Sequence, residues 1–366
     1  MIDWRRPFSG RRSRAPVLHQ PPEAKASAAG PLTAMSQTGR PVWTSRDYGA
    51  LAAEGYGRNP VAYRCIRMIA EGAAATPLVV REGQERVGAD HPLARLIERP
   101  NPEQSAPELL EAIYSALQTA GNAYVEAVGD EGVEELYALR PDRVSVIPGP
   151  SGWPAGYEYR VGGRATRLTR GADGFSPVLH VKMHHPTDDW YGQSPMEAAA
   201  FAIDVHNQSS AWNKALLDNG ARPSGMLVVS RPGGLSAAQH VALRGELNAA
   251  FAGPAGAGRP LVLDAGMEWK PLSMSPADMD FIQGKHAAAR EIALAFGVPP
   301  QLLGIPGDAT YSNYREANAA FWRGTVIPLV RKTAAAMTVW LEDRFPGCRI
   351  EADVAGIPAL AGEGGG

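Results

Sequence analysis

Hydrophobic positions recur along this chain with two periods, and the places where the period changes mark its organisation. "NPVAYRCIRMIAEGAAATPLVV", Asn59 to Val80, opens with Val61, Cys65, Ile66, Ile69, Ala70 and Ala73 at helical spacing, behind an Asn59 cap and Pro60 at the first position. Pro77 stops that helix, and Leu78-Val79-Val80 begins a strand. "HPLARLIERPNP" (91–102) predicts a short helix closed by prolines. "SAPELLEAIYSALQTAGNAY" (105–124) predicts a capped helix stopped at Gly121. Alternating positions then predict strands at 123–128, 135–139, 143–147, 157–161 and 178–183, separated by Gly- and Pro-rich turns. Strands and helices arrive in separate runs rather than alternating, which is the signature of an α+β module.

Two long helices follow with a compact insert between them. Gly192–Gly220 carries the capping box Ser194-Pro195-Met196-Glu197 and many polar positions. The insert, 221–274, reads strand (SGMLVVS), helix (LSAAQHVALRGELNAAF), strand (RPLVLD), strand (MEWKPLS). The second long helix starts at a Ser275 cap with Pro276 and Asp278 in its first turn, and stops at Gly297 ahead of Pro299 and Pro300. At 100° per residue, Phe281, Ile282, Ala288, Ala289, Ile292, Ala293, Ala295 and Phe296 form one apolar arc, interrupted by Lys285. The opposite arc holds Asp280, Gln283, His286, Ala287, Arg290 and Glu291, with Gly284, and its charges nearly cancel. A polar, aromatic loop, "GIPGDATYSNYR", leads into a last helix from about Tyr314 to Phe345, interrupted at Pro328.

Composition narrows the class. The chain has 366 residues, 45% hydrophobic, with a formal net charge of −2, so it reads as a soluble globular protein of two or three modules. No apolar run reaches the length of a membrane span, and no secretory signal follows the N-terminal arginines. Cys65 and Cys348 are far apart and make no metal-type spacing, which points to a reducing compartment. Residues 1–40 hold seven basic and two acidic residues, a net of +5, so the remainder carries −7. That segment has no apolar period and reads as a disordered basic arm, either solvated or in contact with nucleic acid or an acidic protein.

Enzyme motifs are largely missing. Gly284-Lys285 lacks the rest of a phosphate loop, and there is no H-E-x-x-H or G-x-S-x-G. "HVKMHHPTDDW" gathers His180, His184, His185, Asp188 and Asp189, residue types that can hold a divalent metal. A strand would put His180 and His184 on one face and His185 on the other, which favours structural hydrogen bonding at a strand-to-helix junction. Two alternatives stay open on residues alone: a metal-dependent hydrolase or nuclease using His184, His185 and Asp188, and a monomeric nucleic-acid-binding protein using the basic arm.

Taken in order, "NPVAYRCIRMIAEGAAATPL", "HPLARLIERPNPEQSAPELLEAIYSALQTAGNAYVE", "ELYALRPDRVSV", "YGQSPMEAA", "NGARPSGML" and "EIALAFGVPPQLLG" resemble the tailed-phage portal protein family, siphophage type, with the gene-transfer-agent branch most similar. The resemblance runs from about Asn59 to Phe345. It implies a portal fold: an α+β wing at 41–190, a stem of long helices at 191–220 and 275–298, and a small α/β clip at 221–274. It further implies a tunnel loop at 299–313, a wing helix and end strand at 314–350, a flexible tail at 351–366, and a crown that is minimal or absent. It implies a dodecameric ring at one capsid vertex, in a virion or gene-transfer-agent particle assembled in the bacterial cytoplasm. Double-stranded DNA would pass its channel, and its partners would be terminase, a head-tail adaptor and the major capsid protein. It implies no enzymatic activity, no cofactor, no metal and no membrane. Asp280, Gln283, His286, Ala287, Arg290 and Glu291 would line the channel. Asp308, Thr310, Tyr311, Ser312 and Asn313 would project from the tunnel loop.

Overall fold

The computed structural model describes residues 47–130, 132–150, 152–218, 225–230, 236–251, 267–271, 281–306 and 311–360. The basic arm, the caps expected at Ser275, Pro276 and Asp278, the strand expected at 259–264, and Asp280, Asp308 and Thr310 lie outside them. The chain opens with α1 (Tyr48–Leu51), which continues through a π-turn (Ala52–Tyr56) to α2 (Pro60–Ala74). Asn59 caps α2 as expected: its Oδ1 accepts from the Val61 and Ala62 amides, each at 3.0 Å. The apolar stripe of α2 buries Ala62, Cys65, Ile66, Ile69, Ala70, Ala73 and Ala74.

After β1 (Leu78–Glu82), β2 (Glu85–Arg86) and α3 (Pro92–Glu98) comes α4 (Ala106–Ala120), which packs along α2. Its Ser105/Glu108 capping box is formed, and Gly121, at φ +70°, ends it. Six strands then build two sheets: β3 (Asn122–Val128), β4 (Glu135–Leu139), β5 (Val144–Pro148), β6 (Pro154–Val161), β7 (Arg164–Thr169) and β8 (Val178–Lys182). One sheet has the order β4-β3-β8 and the other β5-β6-β7, all antiparallel. Tyr124, Leu139, Val144, Tyr157 and Val178 form the small core between them. β7 has no counterpart in the sequence reading, because it buries almost nothing and so shows no apolar alternation.

The long segments differ from expectation in three places. The first is a break: α5 (Pro195–Ala198) and α6 (Ala200–Asp218) are separated at Ala199. After β9 (Gly225–Val229), α7 (Ala237–Phe251), β10 (Met267–Pro271) and α8 (Phe281–Phe296), the last helix begins at Tyr311, three residues early. It runs as α9 (Tyr311–Phe321), a π-turn (Trp322–Val326) and α10 (Ile327–Leu341). The irregularity therefore precedes Pro328. The Ile327 amide reaches back five residues to the Trp322 carbonyl, and this wider turn relieves the crowding a proline ring causes against the preceding turn. The third difference corrects the flexible tail. β11 (Cys348–Ala352) pairs antiparallel with β1 as the outer strand of β11-β1-β2, so Glu351 and Ala352 are sheet residues. Beyond them Asp353 donates to the Pro77 carbonyl at 2.8 Å and Ile357 is buried, so residues through 360 are held on the body.

Candidate functional site

Two glycines fix where the first long helix leaves the body. A Cβ on Gly121 would sit 2.4 Å from the Gly192 carbonyl oxygen, and one on Gly192 would sit 2.2 Å from that of Gly121. Only glycine allows this approach. Asn122 closes it by accepting from the Gly192 amide at 2.7 Å. Farther along, α6 is tied to the start of α2 by a buried polar joint. The Asn59 side-chain amide donates to Asn207 Oδ1 at 3.0 Å and lies 3.2 Å from His206 Nδ1, while Asn207 donates to the Glu54 carbonyl at 2.9 Å. Burial, with the charge of Lys285 on α8 added to it, holds His206 below its ordinary pKa. A neutral ring lets Nδ1 accept from Asn59. Sequence periodicity gave no sign of this joint, since its members look like surface polar residues.

α8 lies against α6, α2 and α5. Ala288, Ala289, Ile292, Ala293 and Phe296 are buried there, as the apolar arc requires. Ile282, assigned to the same arc, is instead 68% exposed. Of the polar arc, Gln283, Ala287, Arg290 and Glu291 are exposed and His286 is half-buried. Leu294, which the sequence reading left out, stands in the middle of that arc at 79% exposure; its helical phase was the signal that could have found it. Arg290 donates to the Pro306 carbonyl, so its guanidinium is engaged by the following loop.

The end of α8 is firmly set. Gly297 takes φ +67°, the Val298 amide donates to the Ala293 carbonyl at 2.9 Å, and Thr325 Oγ1 donates to the Gly297 carbonyl at 2.7 Å. The expected tunnel loop is shorter than drawn. Pro300–Leu303 is a 3-10 turn, and Tyr311, Ser312 and Asn313 belong to the first turn of α9. The strong helix formers Glu316, Ala317, Ala319 and Ala320 behind them favour that extension. Asn313 is half-buried.

The histidine–aspartate cluster does not converge. His180 stacks on Tyr124 at 4.3 Å and lies 3.0 Å from Asn122 Oδ1. His185 Nδ1 accepts from the Thr187 amide at 3.2 Å, and Asp188 Oδ1 accepts from the Trp190 and Tyr191 amides at 2.7 and 3.0 Å. Among the described residues no three of His, Cys, Asp and Glu are placed to hold a metal ion, and His184, His185 and Asp188 are among those residues. Nor, among the described residues, is any helix long and apolar enough to cross a membrane. The insert contains a two-stranded antiparallel pair, β9 with β10, and the helix α7, whose Val241 is 73% exposed.

The chain is similar to known proteins in sequence and in fold. The phage portal protein family matches residues 60–363. An uncharacterised protein of Rickettsia bellii is 43% identical over 296 residues, 80% of this chain and 76% of that one. A solved chain described as the neck of an empty GTA (gene transfer agent) particle, computed with C6 symmetry, is 49% identical, with 88% of each chain covered and a TM-score of 0.69. A chain of the neck of the native GTA particle, computed with C12 symmetry, is 48% identical at the same coverage, with a TM-score of 0.67. The chain belongs to the phage portal protein family and shares its α+β fold with these neck chains.

Proposed function

We propose that this portal protein assembles into a ring of twelve copies, the order of the symmetry computed for the related native neck, at one vertex of a phage-like or gene-transfer-agent head. In this reading the ring is a conduit and not an enzyme, and duplex DNA passes along its axis during packaging and release. The observation that carries the reading is near-half identity over 88% of both chains with a particle-neck subunit.

The chemistry of α8 agrees with a conduit. Every phosphate held by a cation adds a salt-sensitive increment of affinity, and a ring repeats each contact once per copy. A lining that gripped DNA would act as a brake. The exposed face of α8 offers Gln283, Ala287 and Leu294 with one base and one acid, and the base is already engaged by Pro306. We assign that face to the channel, with Asp280 and His286 at its margins. Residues 304–310, with Asp308 and Thr310, remain the proposed tunnel loop, and Tyr311, Ser312 and Asn313 its helical base. The insert, with the exposed first turns of α7 (237–242), is assigned to terminase and the head-tail adaptor, and the wing to the major capsid protein.

Imaging of the purified full-length chain by negative stain, with its mass by light scattering, tests this. The expected result is annular particles with a central channel. A monodisperse monomer at every concentration and salt would contradict it.

A further inference from the structure

Charge in the wing is sorted by sheet. Residues 101–139 hold eight carboxylates and no lysine or arginine, while residues 140–170 hold six arginines against Asp142 and Glu158. The fold turns this sequence asymmetry into two edges. β4 is the outer strand of its sheet, and its flank is lined by the segment after α3: the Leu136 amide donates to the Pro100 carbonyl at 2.6 Å and Asn101 donates to the Leu136 carbonyl at 2.9 Å. This brings exposed Glu98 and Glu103 alongside Glu134 and Glu135. Tyr137 reports the result: burial, a hydrogen bond to Glu135 and the charge of Glu103 push its phenol up to about 12. Two bases share the region. Arg95 is paired with Asp90 at 2.8 Å, and Arg99 borders the shallow groove with Glu98 and Glu103, so carboxylates remain in excess.

The other edge is β7, which among the described residues pairs on one side only, with β6. All its residues but Leu168 are exposed. Glu158 serves two guanidiniums, Arg160 at 2.6 Å and Arg167 at 3.6 Å; beyond it Arg164 is exposed, and Arg170 donates one N–H to the Gly174 carbonyl at 2.9 Å while keeping its charge unpaired by any carboxylate among the described residues. Trp153, at the tip of the β5–β6 hairpin near the Arg170 end, is 74% exposed. Tryptophan and arginine are the residues most often found anchoring interfaces, and the planar guanidinium fork fits carboxylates better than lysine does.

A ring generated by rotation needs two different, mutually complementary patches on each copy. We propose that the arginine edge of β7 in one copy docks on the carboxylate edge beside β4 in the next, and that this heterologous contact helps close the ring. Among the described residues no ion pair joins the two edges within one chain, so both are available to a neighbour. The proposal rests on the ring reading above, and the experiment separates the two.

The full-length chain is compared with Arg164→Glu/Arg170→Glu, with Glu103→Arg/Glu134→Arg, and with the variant carrying all four changes, by native mass spectrometry and negative stain over a salt series. Thermal unfolding followed by circular dichroism checks that each variant folds. Parent rings should form and loosen as salt rises. Each reversed edge should weaken a single contact about a hundredfold by setting like charges together, and the four-fold variant should form rings again. Should either pair lose its fold, the neutral Arg164→Gln/Arg170→Gln and Glu103→Gln/Glu134→Gln variants take its place, each expected to weaken assembly less. If the parent forms no ring, the ring reading falls and this contact with it. If the parent forms rings and the arginine reversals assemble equally well, the contact is wrong, and the arginines only guard a sheet edge, which glutamates do as well. Loss of rings without rescue by the four-fold variant, or loss of duplex DNA binding with rings intact, also overturns it.

Discussion

α2 and α8 have nearly the same length, 15 and 16 residues, and opposite relations between pattern and packing. α2 buries Ala62, Cys65, Ile66, Ile69, Ala70, Ala73 and Ala74 inside one chain and leaves Val61 half-buried at its first turn, and its outer side carries Tyr63 with Arg64, Arg67 and Glu71, the charged three joined in ion pairs to one another and to Glu111. α8 also buries one face, Ala288, Ala289, Ile292, Ala293 and Phe296, but leaves the aliphatic side chains of Ile282 and Leu294 in the open, at 68% and 79% exposure. One helix is finished within the monomer. The other carries surplus apolar surface and a polar arc of balanced charge, an arrangement that makes sense for a helix completed by neighbours and by whatever passes it.

The comparison can be broken most directly through stability. Ile69 is fully buried in the main core, and Ile69→Ala should cost about 3 kcal/mol in denaturant unfolding of the monomer. Leu294→Ala should stay within about 0.5 kcal/mol, because the side chain has little to lose. A comparable cost at both sites would show that α8 is finished within the chain after all.

Next in size is the joint between the two helix systems. Asn59→Ala removes the α2 cap and strips partners from His206 and Asn207, so it should cost about 2 kcal/mol by the same measurement. His206 gives a pH signature. Its folded pKa is depressed by burial and by Lys285, so the unfolded chain takes up the proton first. Stability is therefore complete above the ordinary histidine value of about 6.5 and declines as pH falls below it. Glu108, Glu158 and Asp173 are held low by their hydrogen bonds and titrate beneath that window. His206→Gln should flatten the slope of unfolding free energy between about pH 6.5 and 5. An unchanged slope would remove His206 from the joint.

The smallest effect sharpens the α8 side. Glu291→Lys makes the exposed arc basic, so DNA passage in a packaging assay should slow and grow more salt-sensitive, by up to about 0.9 in the log–log slope for each phosphate newly held. Rates matching the parent at every salt concentration would turn that face away from DNA.

Much of this architecture was legible because caps and periods report local physics. The Asn59 cap, the Ser105 cap, Gly121 and Gly297 all mark real helix ends. What escaped was set by contacts distant in sequence. β7 follows from pairing with β6 and not from any pattern of its own, and β11 extends past Ile350 because β1 offers it a partner. The π-turn before Pro328 is a backbone solution that no side chain announces. At the candidate site the arc of α8 was readable from helical phase. Which of its members are free was not, since that depends on Pro306 taking Arg290.

The most direct test of the account is an electron cryomicroscopy map of the assembled ring. Gln283, Ala287, Glu291 and Leu294 should face the axial channel, with α2 and its buried stripe held in the wing away from the axis. A map in which that face of α8 is covered by its own wing or turned outward, with another element lining the channel, would contradict it.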